Sequence, residues 1–347
     1  VTTVKPPPTR IVAVRFDGHS LRALDQTLLP WQERELMLDS AGAVAQAIKR
    51  LAIRGAPLIG VAAAYGVVVE LSRDPTEAAL ERACATLREA RPTAVNLAYA
   101  VDRVRAAATT ATDKDLVTAA LEEARAIEAE ELEASDKMAA AGAELLSGAR
   151  RVLTHCNTGA LAAPGRGTAL AVIAELAARE GLETVLATES RPLLQGARLT
   201  VWELRHLELP HALIVDSAAA GLIAAGAVDA VVVGCDRVAA NGDVANKVGT
   251  YGLALAAREA GIPFVVAGPT STIDAHCPSG SHITIEERGP GEVRRALSAE
   301  VTVVGTTCRN PAFDITPARM ITALVTERGV ARPVDGATVR ALHPGPP

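Results

Sequence analysis

The chain has no CxxC pair and no histidine spaced for zinc, and its five cysteines, Cys84, Cys156, Cys235, Cys277 and Cys308, stand far apart. A zinc framework and a disulfide scaffold are thereby excluded, and a reducing cytoplasm fits best. Basic excess is missing too: 35 Lys plus Arg face 40 Asp plus Glu, for a net charge of -5. Neutralising nucleic-acid phosphates needs the opposite balance, so no nucleic-acid partner is expected. The start, VTTVKPPPTR, lacks a charged stretch followed by an apolar one, and no run of 18 apolar residues occurs later. Neither secretion nor membrane spanning is expected. The GxGxxG fingerprint with its acidic ribose partner is also absent, which sets aside a nicotinamide-dependent dehydrogenase.

What is present is apolar residue in quantity: 49% of 347 residues are hydrophobic, enough for about two domains of roughly 150 residues with a sizeable core. After a proline-rich leader, IVAVRF (11–16) reads as a strand with Asp17 and Gly18 as its turn. From 41 to about 146 the apolar spacing is three and four, which predicts helices, and the acidic run ALEEARAIEAEELEASDKMAAAGAELL reads as a solvated helix face. Two breaks, Arg54-Gly55-Ala56-Pro57 and Arg91-Pro92-Thr93, each put an arginine where the backbone turns.

Past residue 150 the texture changes to short apolar runs, RVLTHC (151–156), TVLATE (184–189), ALIVDS (212–217), AVVVGCD (230–236), FVVAG (264–268) and VTVVG (301–305). Helical patterns such as GTALAVIAELAARE and YGLALAAREAG separate them, and continuous apolar strands joined this way predict a parallel sheet. The fold class expected is α/β: a small N-terminal β plus helical domain over 1–147, then a Rossmann-like parallel-sheet domain over 148–347.

Chemistry concentrates where those strands end. The run VVVGCDRVAANGDVANKVGTYGLALAA carries Cys235, Asp236, Asn246 and Lys247 between an apolar strand and a helix, at the edge that faces the ligand crevice in open α/β sheets and where a carboxyl is easily kept protonated. Cys235 precedes Asp236 and points the opposite way. The strand end Thr154-His155-Cys156-Asn157-Thr158-Gly159 leads into Pro164-Gly165-Arg166-Gly167-Thr168 and a helix, a glycine-bearing loop read as an anion cradle. Cys156 beside that loop is set to meet Asp236 across one crevice. Arg54 and Arg91 suit a phosphate held by paired hydrogen bonds, and Gln195 in RPLLQGARLT offers amide groups to sugar hydroxyls.

The stretches LDQTLLP, IRGAPLIGVAAAYGV, ARPTAVNLAYAVDR, LTHCNTGALA, RPLLQGARLTVWEL, DRVAANGDVANKVGTYGLALAA and NPAFDITPARMITALVTERGV, in order from about 24 to 330, resemble the S-methyl-5-thioribose-1-phosphate isomerase family of methionine salvage. The resemblance implies Cys156 and Asp236 as the catalytic pair, and substrate binding by Arg54, Gly55, Ala56, Arg91, Gln195, Asn246 and Lys247. It implies a homodimer, a sugar-phosphate substrate, and no metal or other cofactor. Three places depart from the family pattern: Cys235 in GCDRV, Ser190 in ESRP, and Pro164 with Arg166 in APGRGT. They leave 5-deoxyribose 1-phosphate and ribose 1,5-bisphosphate open as substrates beside 5-methylthioribose 1-phosphate. A non-catalytic sugar-phosphate or nucleotide sensor, like the regulatory subunits of the translation-initiation exchange factor that share the fold, is the alternative; retention of Cys156, Asp236 and the Asn246-Lys247 pair argues against it.

Overall fold

The computed structural model describes residues 11–91, 94–111 and 115–343. The leader VTTVKPPPTR, and Pro92 and Thr93 of the second break, lie outside the described residues. The chain opens with a three-stranded antiparallel sheet, β1 (Val14–Phe16), β2 (Leu21–Leu24) and β3 (Glu35–Leu38). The Asp17 carboxylate accepts from the N–H groups of His19 and Ser20, which fixes the β1–β2 turn. Five helices follow: α1 (Ala41–Lys49), α2 (Ala56–Arg73), α3 (Glu77–Arg88), α4 (Val95–Thr110) and α5 (Leu116–Leu145). Side chains of Ser40, Thr76 and Asp115 cap α1, α3 and α5 by accepting from otherwise unpaired N–H groups. By length and composition α2 could cross a membrane, yet 78% of it is buried, because it is the apolar axis on which α1, α3, α4 and α5 pack.

The acidic run on α5 is the solvated face expected at Glu122, Glu130, Glu133, Asp136 and Glu144, which are exposed, but two of its carboxylates serve neighbours. Glu128 accepts from the Tyr65 hydroxyl, and Glu131 accepts from Ser271 across the molecule. Burial pushes the Glu131 carboxyl up to about 7. Charge count alone does not separate a solvated helix from one that lends a few carboxylates to neighbours.

The remaining elements are β4 (Arg151–Thr154), α6 (Ala169–Glu180), β5 (Thr184–Thr188), α7 (Val201–His206), β6 (His211–Ile214), α8 (Ala219–Ala224), β7 (Ala230–Val233), β8 (Arg237–Ala239), β9 (Val244–Lys247), α9 (Thr250–Glu259), β10 (Phe264–Ala267) and β11 (Ile273–Asp274). After these come α10 (Gly291–Arg294), β12 (Arg295–Ala296), β13 (Ala299–Glu300), β14 (Phe313–Thr316), β15 (Ala323–Thr326), β16 (Gly329–Ala331) and α11 (Gly336–Leu342). The main sheet runs β6-β5-β4-β7-β10-β15-β16, parallel throughout except for β16. Its parallel strands thus follow the 3-2-1-4-5-6 order of doubly wound sheets, whose switch point lies between the first and fourth strands. Here those are β4 and β7, paired with Val152 opposite Ala230 and Leu153 opposite Val231. Every residue of β7, β10 and β15 is buried, as expected for strands covered on both faces.

Two sequence expectations need correction. VTVVG (301–305) forms no strand: Val303 and Val304 are 78% and 88% exposed, in a loop after the two-stranded β12–β13 ladder. The sixth parallel strand is β15, from a stretch weighed only for its family likeness. A β-branched run becomes a strand only where the sheet offers a neighbour. Asn246 and Lys247, read as part of a strand-to-helix turn, instead end β9, which with β8 lies between β7 and α9 and joins a separate four-stranded sheet of order β11-β8-β9-β14.

Candidate active site

A cavity of about 440 Å³ opens at the carboxyl ends of β4 and β7. Cys156 lies two residues beyond β4 and Asp236 three beyond β7, so the pairing of these adjacent strands carries both to the cavity wall. Arg54, Gly55, Arg91, Gln195 and Lys247 line the same cavity. Ala56 and Asn246 are not part of its lining. Ala56 opens α2 behind Gly55. Asn246 neighbours Lys247 on a strand, where successive side chains point to opposite faces; its amide donates to Thr250 Oγ1 at 3.0 Å and holds the entry to α9.

The glycine-bearing loop, read as an anion cradle, stands off this cavity. Two of its N–H groups are taken by the protein: Arg166 N–H donates to Ser135 Oγ, and Thr168 N–H to the Thr158 carbonyl. The Arg166 side chain pairs with Glu175. Of the stretch from 154 to 168, Cys156 alone lines the cavity. Sequence reasoning also missed Arg198, Arg288 and Glu292 in the lining. Arg198 stood in the RPLLQGARLT run already singled out for Gln195, three positions on; Arg288 and Glu292 had no local signal and arrive through the long connection after β11.

Cys156 has φ of 65°, left-handed backbone that a non-glycine residue holds only when its surroundings fix it. They do: its N–H donates to Ser190 Oγ at 2.8 Å and its carbonyl accepts from Thr200 Oγ1 at 2.6 Å. His155 beside it is buried, and burial lowers its pKa. Its Nε2 lies 2.9 Å from the Val248 carbonyl, so Nε2 carries the proton and Nδ1 accepts from Thr188 Oγ1 at 2.6 Å. Thr200 closes a π-helical turn, Gly196–Thr200, in which Val201 N–H reaches back to the Gly196 carbonyl. Such wide turns re-aim side chains at sites, and this one follows Gln195, 4% exposed, whose Oε1 is buried with no partner.

Charge in the cavity is lopsided: seven Arg and Lys side chains face Asp236 and Glu292. Burial raises the Asp236 pKa against the opposing pull of Lys247, Arg54 and Arg91. Lys247 is 7% exposed; burial lowers its pKa although Cys156 and Asp236 act to raise it. Its Nζ donates to the Ala312 carbonyl at 2.9 Å and sits 5.0 Å from the centre of the Phe313 ring, held by the pairing of β9 with β14. Arg91 reaches Glu286 at 3.3 Å, while Arg54 and Arg198 hydrogen-bond neutral acceptors. Among the described residues no cluster of three or more His, Cys, Asp or Glu could hold a metal ion.

Gly55 joins the first helices to this wall. With φ of +94° and an added Cβ only 2.2 Å from the Ala162 carbonyl oxygen, it cannot be replaced without moving backbone. Gly55→Ala is expected to destabilise by about 3 kcal/mol or more. A thermal midpoint within a degree of wild type would show that this contact relaxes freely.

Strand order and cavity define the class: a doubly wound α/β protein whose switch point holds a cationic small-molecule cavity with a desolvated carboxyl and a cysteine. The sequence profile of the Initiation factor 2 subunit family matches residues 52–333. The chain belongs to that family. It is 50% identical over 341 residues to the methylthioribose-1-phosphate isomerase of Syntrophotalea carbinolica, covering 96% of this chain and 98% of that one. The crystal structure of 5-methylthioribose 1-phosphate isomerase from Pyrococcus horikoshii OT3 is similar with a TM-score of 0.89 and 38% identity, covering 97% of this chain and 96% of that one. The structure described as translation initiation factor eIF-2B, subunit delta, from A. fulgidus is similar with a TM-score of 0.85 and 36% identity, covering 96% and 99%.

Proposed function

We propose that the chain is an aldose–ketose isomerase of methionine salvage that converts 5-methylthioribose 1-phosphate into 5-methylthioribulose 1-phosphate, the substrate its relatives are named for. The observation that carries this reading is the meeting of Cys156 and Asp236 in one cationic cavity. Phosphate on the anomeric oxygen locks the sugar ring, so ring opening needs an acid. Asp236, whose pKa burial raises, donates its proton to the ring oxygen. Cys156, as its thiolate, then takes the C2 proton to leave an enol and delivers a proton to C1 while the 2-hydroxyl returns its proton to Asp236 and becomes the ketone, and Arg54, whose Nη2 is 3.8 Å from the sulfur, compensates the thiolate charge. Arg54, Arg91 and Lys247 bind the phosphate, and Gln195 Oε1 accepts from a sugar hydroxyl. Asn246 serves by holding the turn behind Lys247.

No step in this scheme uses a metal or nicotinamide. The boundary between the two units is placed at 147/148, between α5 and β4, so that the cavity draws walls from both. A homodimer and a cytoplasmic location belong to the same reading, the first on family likeness and the second on five free cysteines.

Turnover in deuterium oxide is expected to place deuterium at C1 of the ketose, read by proton NMR. Full retention of a C2 deuterium label at C1 would assign a hydride shift and remove the proton-carrying role from Cys156. Parallel assays with 5-methylthioribose 1-phosphate, 5-deoxyribose 1-phosphate and ribose 1,5-bisphosphate test the 5-substituent; kcat/KM is expected to be highest for the first. No turnover of any of the three would favour the non-catalytic sensor, a reading that the likeness to the A. fulgidus chain keeps in view.

A further inference from the structure

Behind the cavity wall lies a buried carboxylate that the scheme above does not use. Glu203, on α7, is 1% exposed. Its Oε1 accepts from Asn157 Nδ2 at 2.6 Å and its Oε2 from the Ala160 N–H at 2.6 Å. The other end of the Asn157 amide, Oδ1, accepts from Arg54 Nη1 at 2.6 Å, and Arg54 Nη2 reaches the Asn157 carbonyl at 3.4 Å and Cys156 Sγ at 3.8 Å. Carboxylate, amide and guanidinium therefore stand in one file that ends at the Cys156 sulfur.

We infer that Glu203 is a positioning residue: through the Asn157 amide it aims the Arg54 guanidinium at Cys156 and at the anion in the cavity. The claim that Arg54 serves substrate rests on the isomerase reading above; the geometry of the file does not.

The donors fix the direction of the file. Glu203 meets two N–H donors and so acts as acceptor on both oxygens, which leaves Asn157 only one orientation, with Oδ1 toward Arg54. Asn157 Oδ1 takes Nη1 alone, which holds Arg54 in place and keeps Nη2 on the side of the Asn157 carbonyl and the sulfur. Burial pushes the Glu203 carboxyl up to about 7, against the hydrogen bonds from Asn157 and Ala160. A group held inside the protein against that desolvation calls for a role. The fit is also tight: a Cβ on Gly159 would lie 2.2 Å from Glu203 Oε2, so only glycine lets the chain pass this close to the carboxylate.

Glu203→Gln tests the file with almost no change of volume. The new Nε2 donor must face either the Ala160 N–H, which is fixed backbone, or Asn157, which is free to flip. If Asn157 flips, its Nδ2 turns toward Arg54 Nη1, donor against donor, and the guanidinium swings away. Adding Asn157→Asp restores an acceptor on both sides, one for the introduced amide and one for Arg54. The readouts are KM for 5-methylthioribose 1-phosphate and the rate at which iodoacetamide alkylates Cys156 at pH 7, followed by mass mapping of the modified peptide.

In the single variant KM is expected to rise, and alkylation to slow, about tenfold or more, with circular dichroism retained. In the double variant most of both losses is expected to return. A folded Glu203→Gln protein with wild-type KM and alkylation rate would overturn the assignment, as would a folded double variant no better than the single one. If the single variant fails to fold, the double variant decides: folded with near wild-type sulfur reactivity it supports the file, folded and tenfold slower it ends it, and unfolded it makes Glu203 a purely structural group. Alkylation that follows the expected pattern in a protein that turns over no aldose 1-phosphate would sink the isomerase reading and leave the file standing.

Discussion

Asp236→Asn is expected to lower kcat by about 10³-fold or more, the upper part of the range for loss of a general acid, while the inhibition constant for inorganic phosphate stays within a few-fold of wild type. The asymmetry follows from position. Asp236 follows the β7 end in a buried setting that raises its pKa, whereas the phosphate-binding charge proposed sits on Arg54, Arg91 and Lys247. Asparagine keeps the size and can still donate a hydrogen bond, but it has no proton to give to a ring oxygen. Equal loss of phosphate affinity and turnover would make Asp236 structural.

The same substitution has a pH signature in stability. A carboxyl whose folded pKa is raised binds more protons in the folded than in the unfolded chain at intermediate pH, so its contribution falls as pH rises from the unfolded value, near 3.9, through the folded one. Asparagine carries no such cost. The thermal midpoint of Asp236→Asn relative to wild type is therefore expected to rise as pH is raised from about 4, read by calorimetry across the series. A difference independent of pH would show that Asp236 ionises in the folded protein as it does in the unfolded one. Wild-type kcat, by the same shift, is expected to fall on the alkaline side as the acid loses its proton.

Cys156→Ser is expected to cost about 10² to 10⁴-fold in kcat, again the span for removal of a proton carrier, with KM little changed. The oxygen replaces the sulfur inside the same backbone clamp, Ser190 on its N–H and Thr200 on its carbonyl, so the fold has no reason to move. What is lost is an ionisable atom beside Arg54, since a hydroxyl resists deprotonation far more than a thiol does. A serine enzyme with kcat within tenfold of wild type would remove the sulfur from the reaction.

Much of this is legible in the sequence. The runs beginning at 151, 184, 230 and 264 become β4, β5, β7 and β10, because short, largely apolar and buried runs between breakers have few other solutions. Cys156, Asp236, Arg54, Gly55, Arg91, Gln195 and Lys247 stand out by strand ends, turns and family likeness, and all line one cavity. Where local pattern misleads, it does so for a physical reason. VTVVG has the composition of a strand and no partner to pair with. The glycine loop has the composition of an anion cradle, but it stands off the cavity, with the Arg166 and Thr168 N–H groups bound to Ser135 and Thr158. Asn246 sits next to Lys247 in sequence and on the other face of β9 in space.

Glu203 shows the same limit from the opposite side. In sequence it is one acid on a short helix; its meaning comes from Asn157 and Arg54, both remote from it along the chain. The order of elements, the apolar strands and the chemical types at their ends were determined by the sequence itself, since they depend on neighbours within a few residues. The meeting of a sulfur, a desolvated carboxyl and seven cations at one switch point was decided only by the tertiary structure, because strand pairing and burial, not chain proximity, set which charges face each other and which protons they keep.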